Sequence, residues 1–212
     1  MAMMKIYRFF MLRIVGQMNW TGWKYLFTGR EYDLEPHQIK EACEILKAQN
    51  CVGLSYKSTH FTSFLIMLGH FLMTGHWIKW CHAWMNIEGD IKDSKDLEIY
   101  ESISAGLVKS PFWKVFNSDA IILLKPKNLS EEQWQDVLQY LKDKLGTPYD
   151  ICMDEQKDDQ LNCVETVVRS ILRANPNALP IISRMMKRYG QLTPAMLLYG
   201  DFEIVAKFKG RV

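Results

Sequence analysis

The chain contains no CxxC pair, no internal repeat, no low-complexity tract and almost no excess charge. Its five cysteines (Cys43, Cys51, Cys81, Cys152 and Cys163) are an odd, scattered set. Such a set disfavours a disulfide framework or a zinc knuckle and fits a reducing compartment. The 26 basic residues outnumber the 24 acidic ones by only two and lie among them. That leaves no basic stripe for nucleic acid. His60, His70 and His76 are spaced by ten and six residues, so they form no helical ligand pair, and no metal site is expected. Asp150, Asp154, Asp158 and Asp159 lack the regular spacing and central glycine of a calcium loop.

Long uninterrupted apolar runs are missing too. The N-terminal MAMMKIYRFFMLRIVG is broken by Arg8 and Arg13, with no small-residue cleavage site after it. Phe61 to Ile78 approaches membrane-spanning length but contains His70, His76, Gly69 and Gly75. A buried or surface-facing helix is expected there, with contact to a membrane surface left open. From these features a cytoplasmic protein is expected.

What remains is ordinary globular material. The 212 residues are 48% apolar and 24% charged, enough for one sizeable core. Residues 1 to 34 read as an extension and 35 to 212 as one domain. Helical spacing marks Glu35 to Gln49, Phe61 to Met73 (apolar around most of its circumference) and Glu131 to Leu145. Ser130 and Gln133 give the third of these a capping box. Strands are expected at Cys51 to Tyr56, His76 to Ile87, Leu97 to Ile103 and Asp119 to Leu124. Glu88 to Asp96 reads as a hairpin connection, SPFWKVF as a short strand or loop, and DFEIVAKFKG as an edge strand with lysines to water. Pro180 to about Tyr189 is a further helix.

The segment DQLNCVETVVRSIL repeats apolar residues at helical intervals after a polar start, with Asn162 suited to the cap. Cys163 then falls in the first turn, where unpaired N–H groups and the positive helix end favour a thiolate. A nucleophilic thiolate needs a base, and the base needs an orienting partner. His82, on a strand, is the candidate base. Glu101, on the next strand, can hold the second ring nitrogen. Asn86 and Glu88 compete for that role, and Cys81 is a rival nucleophile, although adjacent strand residues point to opposite faces. Against this stands the plain alternative that Cys163 is a buried structural thiol.

The order of a histidine strand, a YESI strand around Glu101, DAIILLKP, a helix, LGTPYD and a helix opening at Cys-x-Glu carries a resemblance. It resembles the circularly permuted papain-like branch of the NlpC/P60 superfamily, the YiiX/YebB-like hydrolases, over about Val52 to Phe208. LTPAMLLYGDFEIV adds to the match. The resemblance implies an α+β, papain-like fold with a small antiparallel sheet or partial barrel packed against helices. It implies a thiol hydrolase cleaving an amide or ester of a cell-wall peptide or lipid-like substrate, with Cys163 as nucleophile, His82 as base and Glu101 as third member. Tyr149 then shapes the pocket. Asn162, which stands where the family tends to have an aromatic, is a candidate substrate-binding or oxyanion residue. No cofactor and no nucleic acid are expected. An inactive papain-like binding protein and a cysteine-dependent acyltransferase are the alternatives.

Overall fold

The computed structural model describes residues 34–57, 61–86, 97–116, 118–150 and 159–210. The N-terminal extension, the connection around residues 87–96, His60 and Cys152 therefore lie outside the described residues.

Six short segments rich in apolar and β-branched residues pair into one antiparallel sheet. They are β1 (Val52–Tyr56), β2 (His82–Asn86), β3 (Glu98–Ile103), β4 (Gly106–Pro111), β5 (Ala120–Pro126) and β6 (Phe202–Lys209), in the order β4-β3-β2-β1-β5-β6. The two ends, β4 and β6, are not neighbours. The sheet is open, so of the two expected forms, a small antiparallel sheet or a partial barrel, the structure has the sheet. A bulge between Leu123 and Leu124 shifts the β5–β6 register, and the outer strand β6 points Lys207 and Lys209 into water. Charged outward side chains on an edge discourage pairing with another chain.

Both faces of the sheet are covered, which explains why β5 reads as a continuous apolar run rather than an alternation. On one face Leu54, Ala83, Met85, Tyr100, Ile122 and Leu124 share a buried cluster with residues of α4 (Glu131–Asp143) and α5 (Cys163–Ala174). On the other, Trp84, Ile99, Ile121 and Leu123 pack with Ala42, Cys43 and Leu46 of α1 (Pro36–Ala48). Each fully buried large side chain contributes about 1.5–3 kcal/mol. Trp84 lies directly over Gly53, where an added Cβ would collide with indole carbons. The missing side chain at Gly53 makes room for the indole.

Helix starts follow the local chemistry. Gln133 N–H donates to Ser130 Oγ and Ser130 N–H to Gln133 Oε1, both at 3.1 Å, so the expected capping box opens α4. Pro180 begins α6 (Pro180–Tyr189), and Gly190, at φ 70°, ends it. The buried Asp201 accepts from Ile181 N–H at 3.2 Å and Ile182 N–H at 2.7 Å, tying β6's entry to that helix.

Three local expectations change. The ladder of β2 starts at His82, not His76, and residues 77–81 carry no regular structure. SPFWKVF divides between the end of β4 and a single helical turn, α3 (Trp113–Phe116). The apolar helix α2 (Phe61–Thr74) is not buried all round, for Phe64, Phe71 and Leu72 are exposed. Among the described residues no helix is long and apolar enough to cross a membrane.

Candidate functional site

The start of α5 meets the first residue of β2. The α5 entry is over-determined: Asn162 Oδ1 accepts from Val164 N–H (3.1 Å) and Glu165 N–H (2.9 Å), while Asn162 N–H donates to Glu165 Oε2 (2.9 Å). These bonds satisfy orphan donors of the first turn. Ser102 Oγ and Thr166 Oγ1, 2.6 Å apart, pin the same turn to β3. Cys163 is thereby fixed at the first helical position and is 4% exposed.

His82 forms a hydrogen bond with the Cys163 side chain. Its Nε2 is 2.8 Å from Glu101 Oε2. The β2–β3 register sets Trp84 opposite Glu101, which brings the carboxylate within reach of a ring two residues earlier. Burial opposes charge on the ring, but the bonds to Cys163 and Glu101 outweigh it and raise its pKa to about 10. Burial likewise opposes ionisation of Glu101. The bond to His82 and its charge, with Ser110 and Lys114, hold that carboxyl below its usual range. Tyr149 forms a side-chain hydrogen bond with Cys163, and burial together with that sulfur keeps its phenol protonated. His82 and Tyr149 thus both act on the Cys163 side chain.

The structure thus brings Cys163, His82, Glu101 and Tyr149 together. Asn162 adjoins them, but its side-chain oxygen is committed to the cap. Asn86 is engaged elsewhere: its amide joins Cys51 N–H (2.6 Å) and the Leu46 carbonyl (3.0 Å). Glu88 lies outside the described residues. Cys81 bonds to Ser63 Oγ at 3.1 Å, and burial raises its pKa. Sequence reasoning missed Ser110, Lys114 and the Ser102–Thr166 tether. These are cross-strand and strand-to-helix contacts between short polar or flexible residues, and no local motif announces them.

No family model matches the chain, and no curated protein matches it. Among solved structures, the metalloprotein yiiX from Escherichia coli O157:H7 shares the fold, with a TM-score of 0.55 and 20% identity over 75% of this chain and 97% of that one. The likeness supports an α+β fold in which a small antiparallel sheet packs against helices, as in YiiX.

The same comparison corrects the functional expectation. The protein sharing this fold is described as a metalloprotein, not as a cysteine hydrolase. The amidase, peptidase or esterase assignment, its acyl-enzyme and its papain-like alternatives are therefore withdrawn. Two physical features agree with the correction. Cys163 is only 4% exposed and belongs to the main buried cluster. The Val164 and Glu165 N–H groups, which would have faced an oxyanion, are spent on Asn162.

A resident metal does not fit the described residues either. No group of three or more His, Cys, Asp or Glu among them could hold an ion. Cys163 and His82 supply one sulfur and one ring, short of the usual three or four protein ligands.

Proposed function

We propose that the protein acts through Cys163 as a peroxide-reactive thiol, held as a thiolate against the His82 imidazolium. The supporting observation is the His82 Nε2–Glu101 Oε2 bond of 2.8 Å, made by a ring that interacts with the buried Cys163 side chain, as Tyr149 also does. Hydrogen-bonded, charge-paired sulfur is the environment in which a thiol becomes a nucleophile. Burial raises Cys43 and Cys81, and it pushes Cys51 up to about 12.

The closed setting selects a small electrophile. The thiolate attacks one peroxide oxygen, forming an S–O bond as the O–O bond breaks. His82 gives its proton to the departing oxygen, which leaves as water or an alcohol, and the sulfur becomes a sulfenic acid. A small-molecule thiol then condenses with the sulfenic acid, releasing water and forming a mixed disulfide. A second thiol restores Cys163 by exchange. Glu101 fixes which ring nitrogen carries the shared proton, and Tyr149 keeps a donor on the sulfur.

The test is hydrogen peroxide followed by dimedone trapping and peptide mass spectrometry. Adduct should concentrate at Cys163 and fall by roughly tenfold or more in His82→Gln. Equal, slow labelling of Cys163, Cys43 and Cys51 would refute the proposal.

A further inference from the structure

Helix α2 is built inside out. Its inward positions are Ser63, Met67 and His70, with Ser63 and His70 only 5% and 1% exposed. His70 meets Thr193 Oγ1 at 2.6 Å. Its outward side carries Phe64, Phe71 and Leu72, exposed by 48%, 42% and 74%. A helix on a water-facing surface ordinarily has the opposite arrangement. Trp77, 51% exposed just beyond the helix, gathers these residues into one patch, its ring 6.1 Å from Phe64 and 5.8 Å from Phe71.

A cationic hollow lies at the end of the same helix. A cavity of about 350 Å³ lies between the end of α2 and helix α6, lined by Thr74, His76, Arg184, Arg188, Tyr189 and Tyr199 among others. None of its lining residues is acidic. Arg184 and Arg188 are exposed and one helical turn apart, an arrangement in which like charges repel unless an anion lies between them. Arg188 also sits 5.1 Å from the Tyr189 ring. Thr74 and His76, which line the hollow, lie in the chain between the exposed Leu72 and Trp77.

We infer that this face docks on an anionic membrane surface, with Phe64, Phe71, Leu72 and Trp77 entering the headgroup boundary and the α2–α6 hollow receiving a lipid phosphate. Aromatic and leucine side chains beside arginines are the composition of an interfacial segment. Attraction to anionic lipid supplies what four apolar side chains alone do not. At 14 residues, α2 lies in the membrane plane and does not cross it.

The experiment is co-sedimentation of the full chain with vesicles of phosphatidylcholine alone or with about 30% phosphatidylglycerol. The chain should pellet with the anionic vesicles and not with the neutral ones. Arg184→Gln with Arg188→Gln should weaken binding by roughly thirtyfold. Leu72→Ser with Trp77→Ser should abolish it. All four positions are exposed, so melting temperatures should stay within a few degrees of the parent. Inorganic phosphate at matched ionic strength should not displace the chain. Displacement by phosphate would make the hollow a soluble-anion site and overturn membrane docking. So would equal pelleting with neutral vesicles, or unchanged binding by both double variants. Failure to bind either vesicle would leave the face to a protein partner and overturn it as well.

Discussion

His82 Nε2 lies 2.8 Å from Glu101 Oε2, across two neighbouring strands and 19 positions of chain. The strand ladder supplies this relationship. If the carboxylate supports the charge on the ring, Glu101→Gln keeps a hydrogen-bonding group in place but removes the counter-charge. Iodoacetamide labelling of Cys163 at neutral pH should then slow by about tenfold, with the fold intact. Unchanged labelling would reduce Glu101 to a packing role.

The same pair makes stability depend on pH. The pKa of His82 in the folded chain, about 10, lies above the unfolded value of roughly 6.5. Its contribution is complete below pH of about 6.5 and declines as pH rises through about 10. Glu101 is shifted the other way, so its contribution is present above the unfolded carboxylate value and is lost as pH falls through its folded value. Urea midpoints of the parent and His82→Gln should therefore converge as pH rises from about 7 towards about 10. A gap constant over that range would show that the ring is not charged in the folded state.

Asp201 is a cap supplied from outside its helix. Its two oxygens accept from Ile181 and Ile182 N–H at 3.2 and 2.7 Å. Asp201→Ala should cost about 1–2 kcal/mol in urea denaturation, and Asp201→Asn clearly less, because one acceptor remains.

Gly53→Ala tests the packing beneath Trp84. The new methyl group would meet the indole of a fully buried side chain. Overpacking of this kind costs about 1–3 kcal/mol. Restoring stability with a second change, Trp84→Phe, would place the loss at this contact.

Much of this architecture was legible because it is local. Ser130 with Gln133 announces one helix start within four residues, and Asn162 marks another. DAIILL shows a strand covered on both faces by its unbroken apolarity. The nearness of His82 and Glu101 could be read because neighbouring strands restrict where two side chains point. What escaped depends on distant packing. The place of β6 beside β5, at the opposite end of the sheet from β4, is one such feature, and neither strand's pattern states it. The outward face of α2 was hidden because a helix apolar on all sides looks the same whether buried or exposed. The hydrolase expectation failed for a related reason. A cysteine at a helix start and a strand histidine define a pair of groups, but they do not say whether a substrate can reach them or whether the backbone donors are free.

The most direct test follows the proton between His82 and Cys163. Nitrogen NMR of the His82 ring, assigned with His82→Gln, should show it protonated until pH approaches about 10 in the parent. In Cys163→Ala it should titrate at least about one unit lower, because one charge partner and one hydrogen bond are gone. A ring that titrates near 6.5 in both proteins would contradict the thiolate–imidazolium pair and the peroxide chemistry built on it.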